Sequence, residues 1–387
     1  MAKTKPQDRS KRSRKTTNGT SKKEKPSASP TTLLAEATAA LQTSQPELAL
    51  NSAQRALSIL QPTSTPTIAS LPALTLLGEI NVELGEVDTA RELFVRAAAL
   101  DPEGAVVEAQ GGGAEKFLWL AQLCEEGGAE SVGWFEKGAV ALRRELGELE
   151  GKRGKEVEEV VEEKKRKLAD ALCGVAEVYM TDLSWEEDAE ARCEALVTEA
   201  LMVAPNNPEA LQTLASVRIS QMRLEDARAA LTRSLDVWKD LEPEDPKVPE
   251  FPTKISLARL LMEAEMEDEA IEVLERLVGE DDGSVEAWYL GGWCLHLMGE
   301  KRKTAAESDE EKKTATSVMR ASMNWLQNSL KLFRLLDYED ERLKEHAEEL
   351  VQELEKTLGP YVEGEDGDEE EGWEDDDGSD DEEMDDT

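Results

Sequence analysis

Aromatic residues are scarce in this 387-residue sequence, with five Phe, four Tyr and eight Trp. Together with 34% charged residues, that scarcity suits solvated helices better than a thick globular core. No apolar run approaches the roughly 20 residues needed to cross a bilayer. The basic N-terminus has no apolar segment of the kind found in a signal peptide. Runs of alternating β-branched residues are missing, so no sheet is expected. The four cysteines (Cys124, Cys173, Cys193 and Cys294) are scattered, with no Cys-x2-Cys pair, which leaves out the common metal and redox motifs. Each falls in a helical pattern and reads as a reduced, buried thiol in a reducing compartment. The two histidines, His296 and His346, fall on separate helices some distance apart in the expected stack, so no metal pair is expected. No Ser-His-Asp or Cys-His arrangement emerges. The Gly111-Gly112-Gly113 run lacks the Gly-Lys-Ser/Thr continuation of a phosphate cradle. The expectation is a protein without enzymatic activity, cofactor or metal.

Positive charge is also in short supply. The formal net charge is −40, and it is unevenly spread. Residues 1–26 hold ten Lys and Arg against Asp8 and Glu24, whereas residues 362–387 are rich in Asp and Glu and hold no Lys or Arg. Such a molecule repels nucleic acid and attracts basic protein.

The organising stretch is Leu74–Pro102. Leu74, Leu77, Gly78 and Asn81 stand at i, i+3, i+4 and i+7, one stripe of a first helix. Gly85 and Asp88 suit a turn. Ala90, Phe94 and Ala97 form the facing stripe of a second helix, and Pro102 stops it. Small residues let the two backbones approach while Phe94 fills the groove between them. This is close to a complete tetratricopeptide unit, and one such hairpin needs neighbours to cover its outer face.

The same pattern recurs along the chain. A first pair begins near Thr31, with Thr31 or Thr32 as cap, and carries Leu33, Ala37 and Ala40, then Ala49, Ala53 and Ala56. A third, degenerate pair has Phe117, Leu120, Ala121 and Cys124, then Trp134, Phe135, Gly138 and Leu142. A long charged helix from Lys155 leads into a fourth pair, and a fifth follows. Pro243, Pro246, Pro249 and Pro252 read as a stiff linker to the sixth. In the seventh, a charged insert at Glu300–Thr316 swells the turn. Leu343, Ala347, Leu350, Val351, Leu354 and Leu358 then mark a capping helix with one wet face. The fold predicted is an all-α tetratricopeptide-repeat superhelical solenoid of about seven helix pairs. Its predicted parts are a disordered basic tail at 1–30, the solenoid at 31–336, the C-terminal capping helix at 337–361 and a disordered acidic tail at 362–387.

In stacks of this type the first helices line the concave surface. Projection from the repeat register places Glu79 and Glu83 of the second pair there, Glu125 and Glu126 of the third, and Glu177 of the fourth. Glu263 of the sixth and Glu286, Tyr289 and Trp293 of the seventh complete the set. The expected groove is acidic, with an aromatic platform towards its C-terminal end. Its complement is a Lys- and Arg-rich segment, drawn in by long-range attraction and held by cation–π contact. Within the basic head, Lys11, Arg12, Arg14 and Lys15, followed by Lys22 and Lys23, resemble a bipartite import signal that a nuclear import receptor would read.

A Lys/Arg-rich head, a tetratricopeptide body over about Thr31–Leu336 and an Asp/Glu-rich tail together resemble the fungal assembly chaperones dedicated to ribosomal protein L-four of the large subunit. The resemblance implies a non-enzymatic protein, cytoplasmic and nuclear, whose concave surface holds the client's basic internal loop. It would prevent aggregation, degradation and premature RNA contact until the pre-ribosome takes over. The same acidity also fits a histone chaperone of tetratricopeptide type, and the repeats alone fit a scaffold for a multiprotein assembly.

Overall fold

The computed structural model describes residues 28–360 apart from 244 and 246. The import-signal residues Lys11, Arg12, Arg14, Lys15, Lys22 and Lys23 lie outside the described residues, as does the acidic tail at 362–387. The described residues form fifteen α-helices and no strand, so the fold is an all-α tetratricopeptide solenoid. The chain divides into two compact units, one up to Leu123 and one from Cys124.

The first unit holds α1 (Pro30–Gln42), α2 (Pro46–Leu60), α3 (Leu71–Glu83), α4 (Val87–Leu100) and α5 (Glu115–Gln122). Helix α1 starts earlier than Thr31. Ser29 is its cap, accepting from the Thr32 amide, because Pro30 lacks an amide hydrogen and fits the first turn. The predicted stripes are buried: Leu33, Ala37 and Ala40 on α1 face Ala49, Ala53 and Ala56 on α2. Between α3 and α4, the Phe94 ring lies so close to Gly78 that an added Cβ there would sit 2.6 Å from it.

A buried ion pair fixes the segment between α4 and α5. The Lys116 ammonium donates to Asp101 Oδ2 at 2.9 Å and to the Gly113 carbonyl at 2.7 Å. The other Asp101 oxygen accepts from the amides of Ala105 and Val106. Both side chains are almost fully buried. The sequence shows each charge, but not that the chain folds back to bring together two residues 15 positions apart.

The second unit holds α6 (Gly128–Leu149), α7 (Lys155–Met180), α8 (Ala189–Val203), α9 (Pro208–Ser220) and α10 (Leu224–Asp236). It continues with α11 (Phe251–Glu263), α12 (Glu267–Glu280), α13 (Val285–Ala305), α14 (Asp309–Leu336) and α15 (Glu341–Leu358). Its cores are built from the predicted small residues. Ser234 Oγ donates to the Pro208 carbonyl at 3.0 Å, Ser322 Oγ to Gly292 at 2.7 Å and Ser329 Oγ to Val285 at 2.9 Å. These short side chains let the helices of a pair approach while bonding across the gap.

Several sequence expectations are corrected here. Helix α5 packs on α4 within the first unit, and the long α6 packs along α7 within the second. Cys124 lies outside any helix, between α5 and α6. The charged insert at Glu300–Thr316 is not a swollen loop. It lengthens α13 and α14, because its Glu, Lys and Ala residues are good helix formers and Ser308 with Glu311 makes a capping box for α14. Pro252 sits in the first turn of α11 rather than in the linker.

The turns inside four pairs share one backbone device. Ser44, Gly85, Met222 and Glu265 adopt the left-handed conformation, at φ 54°, 75°, 61° and 58°. In each, the next residue's amide returns to the last helical turn, as Arg223 does to the Arg218 carbonyl at 2.8 Å. Only Gly85 takes this conformation without a Cβ penalty. Met222 is 86% exposed and loses no packing if removed. Met222→Gly should therefore raise stability by about 0.5–1 kcal/mol, read as a higher urea midpoint.

Candidate functional site

The first helices of the second unit's pairs, α7, α9, α11 and α13, pack successively on one another, with α15 as the next in line. They make the face on which the sequence places its binding residues. At the α7–α9 end, Glu177 is solvent-accessible, yet its pKa is raised by burial among neighbouring atoms and then by the charge of Glu209. Asp170, two turns earlier on α7, is pushed up to about 7, first by burial and then by Glu209. Asn207 Nδ2 donates to Asp170 at 2.7 Å, and Thr253 Oγ1 donates to Glu209 at 3.1 Å. No ion pair reaches Asp170, Glu177 or Glu209 among the described residues. The charge of Glu209 thus acts on both Asp170 and Glu177, and only the more distant Arg166 opposes it at Asp170, an arrangement that an added ammonium or guanidinium group relieves.

At the other end, α11, α13 and the start of α15 enclose an open pocket of about 600 Å³. Glu263, Tyr289 and Trp293 all line it. Glu263 is exposed at the rim and Trp293 is half-buried. Tyr289 is only 9% exposed, and its hydroxyl is hydrogen-bonded to His346 Nδ1 at 2.7 Å. The Trp293 and His346 rings meet edge to face, with centroids 5.1 Å apart. Tyr289 is therefore held mainly by α15, and the platform expected from both rings is presented chiefly by Trp293. Glu286 is ion-paired with Arg259, so its charge is locally offset. This end of the face is consequently apolar and mixed in charge rather than simply acidic.

The remaining sequence-selected residues belong to other elements. Glu79 (half-buried) and Glu83 (exposed) belong to α3 of the first unit. Glu125 and Glu126 are exposed on the turn before α6, not on a first helix, because α5 ends at Gln122. The two histidines are close enough across α13 and α15 for His346 to act on the charge of His296, contrary to their expected separation. Burial lowers the His296 pKa, and its Nδ1 has no hydrogen-bond partner. No group of three or more potential metal ligands forms among the described residues. Burial pushes the Cys173 and Cys294 thiols up to about 12, which keeps them protonated at neutral pH.

Two fungal relatives share the sequence. A protein of Emericella nidulans named "Probable assembly chaperone of rpl4" is 51% identical over 382 residues, covering 95% of this chain and 94% of its own length. One of the same name from Schizosaccharomyces pombe is 34% identical over 302 residues, covering 78% of this chain and 84% of the relative. The chain belongs to the family of assembly chaperones of rpl4. A solved structure of a family member, "Assembly Chaperone of RpL4 (Acl4) (Residues 1-338)", is 52% identical and superposes with a TM-score of 0.65. The match covers 72% of this chain and 99% of the solved one. No protein-family model matches the chain.

Within this family member, sequence projection missed Asp170, Glu209 and His346. Asp170 stands seven residues before Glu177 and so shares its stripe on α7, a signal that was available. Glu209 occupies the first turn of α9, where an acid also suits the helix dipole and carries no further message. His346 lies on the wet side of an expected cap, and only the packing of α15 on α13 brings it to Tyr289.

Proposed function

We propose that this chain is a dedicated, non-enzymatic chaperone that holds newly made ribosomal protein L4, the rpl4 of its relatives' names, on its first-helix face. It shields the client's basic internal loop from aggregation, degradation and premature RNA contact. It escorts the client from the cytoplasm to nuclear pre-ribosomes, with the Lys11–Lys23 segment presented to an import receptor. The reading is carried by the crowding of Asp170 and Glu177 around Glu209, with no direct ion pair to any of the three among the described residues. A cationic segment laid across α7 and α9 adds the counter-charge that no ion pair supplies there, and it meets Glu263 and Trp293 further along the face. Glu79, Glu83, Glu125 and Glu126 add to the attraction that speeds encounter.

The test is binding of a Lys/Arg-rich L4 loop peptide to the full chain, followed by anisotropy. Affinity should fall at least about tenfold between 50 and 300 mM salt, since several charge contacts are screened together. Changing Glu263→Gln, Glu286→Gln and Trp293→Ala together should weaken binding by roughly tenfold or more, about 1.4 kcal/mol. Neutralising Glu286 also frees the Arg259 charge, which then repels a cationic guest. A complex indifferent to both salt and these changes sinks the reading.

A further inference from the structure

Helix α14 departs from the charge pattern of the chain. From Lys312 to Leu336 it carries five Lys and Arg and no Asp or Glu, in a chain of net charge −40. Lys313, Arg320, Lys331 and Arg334 stand at i, i+7, i+18 and i+21. At 100° per residue that spacing sets them within about 60° of arc, along about 32 Å of one side of the helix. All four are exposed, and no ion pair reaches any of them among the described residues. Lys312, off this stripe, is paired with Asp309. Gln327 and Asn328, in the interval between Arg320 and Lys331, are half-buried and contribute neutral amides. Lys344 of the adjoining α15 is near enough to Arg334 to feel its charge, and is itself answered by Glu341 at 3.0 Å.

The stripe ends on an apolar edge. Leu335 is 74% exposed and Leu336 54%. The backbone holds them there. Asp337 takes the left-handed conformation at φ 51°, and the Tyr338 amide returns to the Phe333 carbonyl at 3.1 Å. The Phe333 and Tyr338 rings meet edge to face, 5.8 Å apart. Carboxylates resume only beyond this turn, at Asp337, Glu339 and Asp340. We propose that this side of α14 is a docking surface for an acidic segment of another protein. Its carboxylates lie on Lys313, Arg320, Lys331 and Arg334, and an apolar residue at its end rests on Leu335 and Leu336.

Charge complementarity selects the occupant. A basic client is repelled by four cations that have no partner, and none of these residues belongs to the first-helix face. Nucleic acid is anionic too, but no exposed aromatic ring lies between Lys313 and Arg334 on which bases could stack. A chain of net charge −40 also repels a polyanion over its whole length. A short acidic segment meets far less of that repulsion, and its apolar end gains contact with two exposed leucines, which a phosphate backbone does not. Each exposed charge pair contributes little by itself, so the four must act together and the contact weakens with salt.

The test uses the full chain and a fluorescent Glu/Ala peptide of about 24 residues with a leucine at each end, long enough as a helix to span the stripe. Anisotropy at about 50 mM salt should show saturable binding. Arg320→Glu with Lys331→Glu should weaken it at least about tenfold. The same change of net charge at Arg55 and Lys152, both exposed on other helices or turns, should alter it by less than about twofold. Leu335→Ala with Leu336→Ala should cost roughly threefold. All these positions are exposed, so the core stays intact. No saturable binding, or an equal loss with the control pair of changes, would overturn the docking surface. An oligouridylate that binds as tightly as the peptide and is lost with Arg320→Glu and Lys331→Glu would overturn the choice of an acidic protein segment.

Discussion

Lys116→Ala should destabilise the first unit by about 3–5 kcal/mol, because it leaves the Asp101 carboxylate buried without its cation. Asp101 would keep the amides of Ala105 and Val106, at 2.7 and 3.2 Å, but these do not replace a full charge. The Gly113 carbonyl would also lose its donor. Amide hydrogen exchange on the full chain checks this, with protection lost first across residues 101–122. The double change Asp101→Asn with Lys116→Met removes both charges and keeps most of the volume. It should cost clearly less than Lys116→Ala alone, since an unpaired buried charge is worse than none. Equal costs would mean that the pair acts only through packing.

Asp170→Asn should make the protein more stable at pH 8 and have a much smaller effect near pH 5. The carboxyl has a folded pKa of about 7, against 3.8 for the unperturbed group. Between those values the folded state binds a proton that the unfolded state has released, so stability falls as pH rises from about 4 to about 7. Asparagine removes that dependence. The gain at pH 8 relative to pH 5 should be roughly 2.5 kcal/mol, from the two units between pH 5 and the folded pKa at 1.36 kcal/mol per unit. Urea unfolding of both proteins across this range measures it. The same group gives the client complex a signature. A guanidinium or ammonium docked beside Asp170 favours its ionised form, so binding releases a proton and tightens as pH rises from 6 to 8. Asp170→Asn should flatten that profile, and an unchanged profile would remove Asp170 from the binding face.

Much of the fold was legible because tetratricopeptide packing is local. Gly78 against Phe94 and Gly292 against Leu326 are contacts within one hairpin, at spacings that helix geometry fixes. The stripes Leu33–Ala37–Ala40 and Ala49–Ala53–Ala56 are buried for the same reason. Expectations failed where a longer-range contact decided. Helix α6 packs along α7, which no repeat register states. The insert after Gly299 lengthens both helices of its hairpin, which meet at the Gly299–Met319 contact. The candidate site was less legible than the fold. Glu177, Glu263 and Trp293 were placed by projection on the first-helix face. The pairing of Glu286 with Arg259 and of Tyr289 with His346 depends on side chains 27 and 57 residues away.

By itself the sequence determined the repeat: where helices start and stop, which faces are apolar, and that the chain is strongly acidic with opposite charges at its two ends. Those properties follow from periodicity, caps and composition, all of which act within a few residues. Tertiary structure alone decided which charges are answered and which are not. Lys116 neutralises Asp101 and Arg259 neutralises Glu286, while the charge of Glu209 falls on Asp170 and Glu177 with no ion pair to offset it. Electrostatic energy depends on distance and burial in space, and a sequence of mostly acidic helices does not say which carboxylates will meet.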